Sequence, residues 1–196
     1  MKRGSKILAF AGSLRKDSFN KKVLNIGVQG AKEAGGEVTV IDLQDWNLPL
    51  FNQDDEAKFG IPQTAVKLKK LFREMDGLLI ASPEYNSSIT GVLKNTLDWV
   101  SRPHPEEKEY LECFTGKVAA LLSASPGALG GIRGLVHLRS ILGNIGVIVL
   151  PGQQSISNAE KAFDESGQLK DEKKQKAVLT IGKDLVGVLE KLKPKT

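Results

Sequence analysis

Four side chains with phosphate-binding chemistry lie close together near the N-terminus: Ser13, Arg15, Ser18 and Asn20. Hydroxyl, amide and guanidinium groups donate hydrogen bonds, and an arginine can donate to two oxygens at once. An apolar run, residues 7–11, precedes this stretch and a helical pattern starts near Phe19, so it joins a predicted strand to a predicted helix. A helix N-terminus offers free N–H groups and a positive dipole end. The stretch therefore indicates a phosphate site or an ordinary turn, in which Asp17 or Ser18 caps the helix and Arg15 is solvated.

Two further stretches rich in Gly, Ser, Pro and Asn each follow an apolar run that reads as a buried strand. Residues 82–86 follow the run 77–81, and residues 123–127 with the pair Gly130-Gly131 follow the run 118–122. Ligands of open α/β sheets bind outside the carboxyl ends of the strands. The three stretches are therefore expected to converge on one site if their strands are neighbours.

Strands alternate with helices along the chain, and each strand is apolar throughout rather than at every second residue. That pattern is typical of a parallel sheet covered on both faces. The predicted fold class is α/β, a flavodoxin-like three-layer sandwich with a five-stranded parallel sheet in the order 2-1-3-4-5 and helices on both faces. In this order strands 1, 3 and 4 are neighbours. The predicted strands are residues 7–11, 38–41, 77–81, 118–122 and 147–150, and residues 42–62 are predicted to be irregular.

Composition limits the classes of protein that remain. The 196 residues, 40% hydrophobic and 26% charged, predict a single domain over residues 1–196. No apolar run approaches the roughly 18 residues of a membrane span, and no signal peptide is recognisable. The single cysteine, Cys113, fits a reducing cytoplasm. The net charge of +5 is modest and the lysines are dispersed, so neither a nucleic-acid nor a membrane partner is expected.

Several signatures of catalysis are missing. The first stretch is neither G-x-G-x-x-G nor a loop ending in G-K-[ST], and no Cys/His cluster has metal-ligand spacing, so no metal is expected. His104 and His137 lie outside the three stretches, and Cys113 has no evident base beside it. No catalytic side chain is therefore predicted, which suits a bound cofactor that carries the chemistry itself.

Flavin mononucleotide (FMN) fits such a site. Its phosphate would lie on the first stretch and its ring against the other two, where prolines and glycines let the backbone approach closely. Asn86 is a candidate hydrogen-bond partner and Tyr85 a candidate flank of the ring. Glu84 is open to two interpretations, a surface carboxylate or a ligand contact.

Three motifs together resemble the NADPH-dependent FMN reductases, a group that includes quinone, azo-dye and chromate reductases. The motifs are Gly12-Ser13-Leu14-Arg15 with Ser18 and Asn20, Pro83-Glu84-Tyr85-Asn86, and Gly91-x-Leu93-Lys94-Asn95-x-x-Asp98-Trp99. The similarity extends through Leu48-Pro49-Leu50-Phe51, Gly130-Gly131-x-Arg133 and Val149-Leu150-Pro151, and so covers nearly the whole chain.

The resemblance implies a bound FMN, NAD(P)H as hydride donor, and a homodimer or homotetramer. It implies that Ser13, Arg15, Ser18 and Asn20 hold the phosphate, that residues 83–86 contact the ring and ribityl chain, and that Ala124 and Ser125 lie close to the ring. The full set of expected cofactor contacts is Ser13, Leu14, Arg15, Ser18, Phe19, Asn20, Pro83, Glu84, Tyr85, Asn86, Ala124 and Ser125.

The expected function is an oxidoreductase that passes a hydride from NAD(P)H through flavin to an acceptor such as a quinone, azo compound, metal oxyanion or free flavin. The alternative is a flavodoxin-type electron carrier without NAD(P)H oxidase activity of its own. Such carriers usually present an acidic surface, whereas this chain is basic and lacks a Thr/Ser-x-Thr-Gly phosphate loop. A third hypothesis is a regulatory module that binds flavin or nucleotide without turnover.

Overall fold

The central sheet has the topology predicted from the sequence. A computed structural model describes residues 4–193. Within these residues the strands are β1 Lys6–Ala11, β2 Glu37–Asp42, β3 Gly77–Ala81, β4 Val118–Ala124 and β5 Ile148–Ile156. They form one parallel sheet in the order β2-β1-β3-β4-β5, which confirms the predicted flavodoxin-like order. The strands β1, β3 and β4 are therefore adjacent, and the strand order reverses between β1 and β3.

Helices cover both faces of this sheet. Their bounds are α1 Phe19–Glu33, α2 Gln53–Phe59, α3 Gln63–Arg73, α4 Gly91–Val100, α5 Ile132–Asn144, α6 Ala159–Ala162 and α7 Glu172–Leu192. One apolar core lies under α1 and α7, and a second lies under α3, α4 and α5. Between residues 4 and 193, no helix has both the length and the apolar character that crossing a bilayer would require.

The pattern of β1 shows why the strands are apolar throughout. Ile7 and Ala9 point into the core under α1 and α7, while Leu8 and Phe10 point into the core under α3 and α4. All four side chains are fully buried. Successive residues of a strand face opposite sides of the sheet, so a strand covered on both sides has no solvent-facing position for a polar residue.

Close contact between α1 and α7 depends on glycine. A Cβ atom on Gly182 would lie 2.0 Å from the carbonyl oxygen of Gly27, and one on Gly30 would lie 2.0 Å from the carbonyl oxygen of Leu179. Real side-chain carbons do not approach backbone atoms so closely, so only glycine lets the two helices meet at this distance. This contact fixes α1, whose N-terminus begins directly after the first Gly/Ser-rich loop.

Two parts of the predicted secondary structure are wrong. The stretch predicted to be irregular contains a 3-10 helix, Leu43–Trp46, and α2. Asn52 caps α2 by accepting a hydrogen bond from the backbone N–H of Asp54 at 3.0 Å, and acidic residues fill its first turn. The fifth strand was predicted to end at Leu150, but β5 continues to Ile156 after a register shift against β4. As an edge strand, β5 can include Pro151 without losing a central ladder bond.

Candidate functional site

Three loops meet at the carboxyl edge of the sheet, as the predicted topology requires. We define them as the first loop, residues 12–18 after β1, the second loop, residues 82–90 after β3, and the third loop, residues 125–131 after β4. The N–H of Gly12 donates to the carbonyl of Ala81 at 2.9 Å, and the N–H of Ser82 donates to the carbonyl of Leu122 at 2.9 Å. The bases of the three loops are therefore joined by backbone hydrogen bonds.

The first loop concentrates hydrogen-bond donors. The Oγ of Ser18 caps α1 by accepting from the N–H of Asn20 at 3.2 Å, and the Oγ of Ser13 accepts from the N–H of Arg15 at 3.3 Å. Both hydroxyls are almost fully buried, and neither donates to a protein acceptor among residues 4–193. Across the same described residues, the backbone N–H groups of Leu14, Lys16 and Phe19 also have no protein acceptor. The loop therefore holds hydroxyl and backbone donors that an anion would satisfy.

Two positively charged side chains lie beside these donors in the first loop. Arg15 and Lys16 are exposed, and neither forms an ion pair within the part of the chain that the structure describes. Leu14, between the buried and the charged parts of the loop, is half exposed. The guanidinium of Arg15 is thus free to fork two oxygens of a ligand held by the loop.

Thr90 fastens the first loop to the second. Its Oγ1 donates to the carbonyl of Gly12 at 2.7 Å and caps α4 by accepting from the N–H of Leu93 at 3.3 Å. The first loop also packs closely against α4, because a Cβ on Gly12 would lie 3.0 Å from two side-chain carbons of Leu93. Sequence reasoning did not identify Thr90, although a threonine directly before the Gly91 motif is a possible helix cap.

The second loop contains a strained two-residue turn. Tyr85 and Ser88 exchange backbone hydrogen bonds of 2.9 and 3.1 Å, and the residues between them, Asn86 and Ser87, have φ of 51° and 65°. A turn with two positive φ angles usually carries glycine at its second central position, so Ser87 adopts a costly conformation there. The turn presents Tyr85, which is 55% exposed, and the exposed Asn86 at the edge of the sheet.

Glu84 joins the second loop to α5. Its carboxylate accepts from the backbone N–H groups of Arg133 and Gly134, at 3.0 and 3.1 Å, and from the Arg133 guanidinium. Only 7% of the Glu84 side chain is exposed. Desolvation would raise the pKa of this carboxyl, but the hydrogen bonds from Arg133 and Gly134 outweigh it and hold the pKa below its ordinary value. Glu84 is therefore neither a surface carboxylate nor a free ligand contact, the two sequence interpretations, but a side chain that fixes the second loop to the N-terminus of α5.

His137 lies on α5, outside the three loops as predicted, but its side chain contacts the second loop. Its Nδ1 lies 2.9 Å from the Oγ of Ser88, the residue that closes the strained turn. The side chain is exposed on α5, one turn beyond Arg133. No sequence signal links His137 to Ser88, because the contact depends on how α5 packs beside the second loop.

The third loop is held at both of its ends. The Asn20 amide hydrogen-bonds both backbone groups of Ala124, with distances of 2.8 and 3.0 Å. At the other end, a Cβ on Gly130 would lie 2.9 Å from backbone atoms of Ile156 and Ser157. Only glycine therefore fits at this position, where the loop backbone packs directly against the end of β5. Between these ends Ser125 is half-buried, and its Oγ accepts from the N–H of Gly127 at 3.2 Å.

The twelve residues expected to contact a cofactor all lie at this edge, but not all offer a free side chain. Phe19 stacks on Phe163 with ring centroids 6.1 Å apart, Pro83 and Ala124 are buried, and the Asn20 and Glu84 side chains bind other parts of the protein. The side chains that remain available are Ser13, Leu14, Arg15, Ser18, Tyr85, Asn86 and Ser125.

Asn95 and Trp99, from the third sequence motif, fix a neighbouring segment of the chain next to the site. Asn95 accepts from the N–H of Phe51 at 2.8 Å and donates to the carbonyl of Pro49 at 2.9 Å, and Trp99 Nε1 donates to the same carbonyl at 2.7 Å. Residues 49–51 are therefore fixed on α4. Leu50, at the centre of this segment, is 83% exposed.

Cys113 lies apart from the three loops in a buried ion-pair cluster. Its Sγ is 3.2 Å from Glu107 Oε1, which also pairs with Lys69 Nζ at 2.7 Å. Burial raises the pKa of the Cys113 thiol to about 12, so the thiolate is not populated at neutral pH. The carboxylate beside it is paired with Lys69 rather than free to act as a base.

The sequence profile of the NADPH-dependent FMN reductases matches residues 5–161, a span that contains all three loops. The chain belongs to the NADPH-dependent FMN reductase family. It is 39% identical over 174 residues to an NAD(P)H-dependent FMN reductase of Pseudomonas aeruginosa, covering 88% of this chain and 89% of that protein. It is 34% identical to a 2-hydroxy-1,4-benzoquinone reductase of a Burkholderia species, covering 90% and 91% of the two chains.

A solved structure of similar fold is the flavoenzyme NAD(P)H:(acceptor) oxidoreductase of Paracoccus denitrificans. It superposes with a TM-score of 0.78 at 29% identity, over 95% of this chain and 98% of that one. The NADPH-dependent FMN reductase assignment confirms the sequence prediction of a flavin-dependent NAD(P)H oxidoreductase that uses FMN. The donors of the first loop fit this cofactor, since two buried hydroxyls, a helix N-terminus and a guanidinium with no ion-pair partner in residues 4–193 suit a phosphate monoester.

Proposed function

We propose that the three loops hold FMN, with its phosphate on the first loop and its ring between the second and third. The observation that carries this proposal is the set of donors at the start of α1 that have no protein acceptor within residues 4–193. Ser13, Ser18 and Arg15 bind the phosphate oxygens together with backbone N–H groups of the loop. The positive end of the α1 dipole adds to this attraction.

The second loop supports the ring through its backbone and through Tyr85. The Glu84 carboxylate is occupied by α5, so residues 83 and 84 contact the cofactor through main-chain atoms only. Asn86 and Tyr85 are the exposed side chains of the turn and flank the ring, while Ala124 and Ser125 approach it from the third loop. Because the turn is fixed by paired backbone hydrogen bonds, these groups are positioned before the cofactor binds.

Bound FMN supplies the hydride chemistry, and the chain supplies binding and orientation. The only carboxylate in the second and third loops is that of Glu84, and it is paired with Arg133, so no free acid or base of these loops faces the ring. The exposed Tyr85 leaves that side of the site open to solvent. NAD(P)H and the acceptor use this open side in turn, which predicts ping-pong kinetics.

The acceptor is a small quinone. The names of several relatives support this choice: beside the Burkholderia benzoquinone reductase, an NAD(P)H:quinone oxidoreductase of Solanum tuberosum is 35% identical over 195 residues. An open site without selective side chains also suits azo compounds, metal oxyanions and free flavin as weaker acceptors. The alternative, a flavodoxin-type carrier that depends on protein partners, is disfavoured by the net charge of +5.

Steady-state turnover separates these functions. The FMN-loaded protein is mixed with NADPH and a soluble benzoquinone in the absence of any other protein. Rapid NADPH oxidation that depends on quinone, with parallel double-reciprocal lines, is the expected result. Flavin that is reduced only after a separate reductase is added would establish the carrier function instead.

The whole chain acts as one FMN-binding domain and assembles into a homodimer or homotetramer in the cytoplasm. Exposed apolar side chains support the assembly, since Ile132 and Val136, one turn apart on α5, and Leu129 in the third loop are each 40% exposed or more. Leu50 provides a further exposed apolar side chain on a fixed segment. The one cysteine, buried and protonated, is compatible with a reducing compartment. Sedimentation equilibrium of the FMN-loaded protein measures the assembly, and a monomer at micromolar concentration would contradict it.

A further inference from the structure

The side-chain amide of Asn20 completes the hydrogen bonding of the last residue of β4. Its Nδ2 donates to the carbonyl of Ala124 at 2.8 Å, and its Oδ1 accepts from the N–H of Ala124 at 3.0 Å. Asn20 is 97% buried, since only 3% of its surface is exposed. Both backbone groups of Ala124 that face away from β5 are thus satisfied by a single side chain 104 residues earlier in the sequence.

The register of the sheet explains why Ala124 needs this partner. Leu122 pairs with Ala81 and its carbonyl accepts from the N–H of Ser82, so if the strands continued side by side, Ala124 would pair with Pro83 and its carbonyl would accept from the N–H of residue 84. The chain instead leaves the sheet after Ser82 at Pro83, and β3 ends at Ala81. Buried backbone groups without partners are costly, and Asn20 takes the place of the missing strand.

This geometry leaves little of the amide for a ligand. The Oδ1 is used by Ala124, and only one hydrogen of Nδ2 remains. Asn20 is the second residue of α1, which follows the first loop, and Ala124 stands directly before the third loop. The pair therefore sets the spacing between the loop expected to bind the phosphate and the loop expected to lie beside the ring.

We propose that Asn20 is a positioning residue, not a phosphate ligand, and that it sets the orientation of the flavin ring by holding Ala124 and the third loop against the N-terminus of α1. This inference rests on the proposed placement of FMN. The family resemblance implied that Asn20 holds the phosphate. The proposal instead predicts that loss of the Asn20 side chain disturbs the binding of the flavin ring, with or without a phosphate.

The test compares the affinities of apoprotein for FMN and for riboflavin, which lacks the phosphate. Asn20→Ala is expected to weaken both ligands by the same factor of about ten, because it removes both hydrogen bonds to Ala124. Asn20→Asp is also expected to weaken both, because it loses the donor and places a carboxylate oxygen against the Ala124 carbonyl. Arg15→Ala serves as the phosphate-specific reference and is expected to weaken FMN alone. Asn25→Asp, an exposed position on α1, makes the same chemical change away from Ala124 and is expected to leave both affinities unchanged.

Loss of FMN affinity with riboflavin affinity retained would make Asn20 a phosphate ligand and overturn the proposal, as would unchanged affinity for both. If Arg15→Ala weakens FMN and riboflavin equally, the proposed placement of the phosphate on the first loop is wrong. That outcome contradicts the proposed function and is distinct from the outcomes for Asn20. The visible circular dichroism of the bound flavin provides a readout of ring orientation, and Asn20→Asp is expected to change it whereas Asn25→Asp is not.

Wild-type protein supplies a measurement that does not depend on a variant folding. The Ala124 amide is expected to exchange its hydrogen slowly in both the apoprotein and the FMN complex, because Asn20 Oδ1 accepts from it in both. Exchange that becomes fast when FMN binds, but not when riboflavin binds, would show that the phosphate draws Asn20 away from Ala124. That outcome would contradict the proposal.

Discussion

The carboxylate of Glu84 accepts a hydrogen bond of 2.8 Å from Arg133 Nε and another of 3.0 Å from the Arg133 backbone N–H, so one side chain both pairs with Arg133 and caps α5. Glu84 is in the second loop, and Arg133 is the second residue of α5, which follows the third loop. Together with Thr90 and Asn20, this contact links each loop to the other two. The three loops are therefore fixed relative to one another before a cofactor binds between them.

Acidification is expected to weaken the Glu84 contact. The pKa of Glu84 is lowered in the folded protein, so its contribution to the free energy of unfolding is complete above the ordinary carboxyl pKa, roughly 4.3, and is lost as the pH falls through the folded value. At neutral pH, Glu84→Gln is expected to lower the free energy of unfolding by about 1–2 kcal/mol, the range for a lost charged cap.

Urea denaturation at a series of pH values measures this effect. The gap between wild type and Glu84→Gln is expected to narrow below about pH 4, because the wild-type carboxylate is then protonated. Glu165→Gln, which removes an exposed carboxylate, is the matched control and is expected to follow the wild-type curve. A gap that stays constant into strong acid would show that the Glu84 charge is not responsible.

The contact between α1 and α7 predicts opposite effects for two glycines of the same helix. Gly182→Ala is expected to lower the free energy of unfolding by about 3 kcal/mol, because its new methyl group would overlap the carbonyl of Gly27. Gly187→Ala has open space around the new carbon and is expected to raise stability by about 0.5–1 kcal/mol through helix propensity. Thermal denaturation of both variants measures the difference, and equal effects would contradict the close packing.

Thr90 is expected to be required for its hydroxyl rather than its shape. Thr90→Val keeps the volume but removes the bond to the Gly12 carbonyl and the cap of α4, and is expected to cost about 1–2 kcal/mol of unfolding free energy. Thr90→Ser retains both hydrogen bonds and is the matched control. The two are compared by their denaturation midpoints in urea. Equal midpoints would show that Oγ1 contributes nothing.

The fold was more predictable than the partners of individual side chains. Unbroken apolar runs separated by helical patterns are enough to indicate a parallel sheet, and the order 2-1-3-4-5 followed from that alternation and was confirmed. The same reasoning missed α2, although Asn52 followed by Asp54, Asp55 and Glu56 is a helix-start signal. These acids fill the first turn of α2, and Glu56 also pairs with Arg102 at 2.7 Å.

Long-range contacts explain what the sequence could not predict about the site. Asn20 meets Ala124 across 104 residues, and Glu84 meets the Arg133 backbone across 49. Residue type identifies an amide or a carboxylate as able to bind a ligand, but only the packed structure shows whether another part of the chain already occupies it. For Ser13 and Ser18 the partners are two residues away, and there local reasoning named Asp17 and Ser18 as the candidate caps, of which Ser18 is the one observed.

Arg15 is expected to contribute more to FMN binding than any other side chain of the first loop. Arg15→Ala is predicted to weaken FMN binding by about 1.5–3 kcal/mol, the range for a hydrogen bond to a charged group. Because the guanidinium has no ion-pair partner within residues 4–193, its removal is expected to leave the stability of the apoprotein unchanged. Fluorescence titration of the apoprotein with FMN measures the affinity, and an unchanged value would remove Arg15 from the site.

A crystal structure of the FMN-loaded protein tests the proposed site most directly. The phosphate is predicted to lie on the first loop, within hydrogen-bonding distance of Ser13, Arg15 and Ser18. The ring is predicted to lie beside Tyr85 and the third loop, with the bond from Asn20 to Ala124 intact. A phosphate bound elsewhere, such as at the opposite end of the sheet where Arg73 and Lys117 line a separate cavity, would contradict the account.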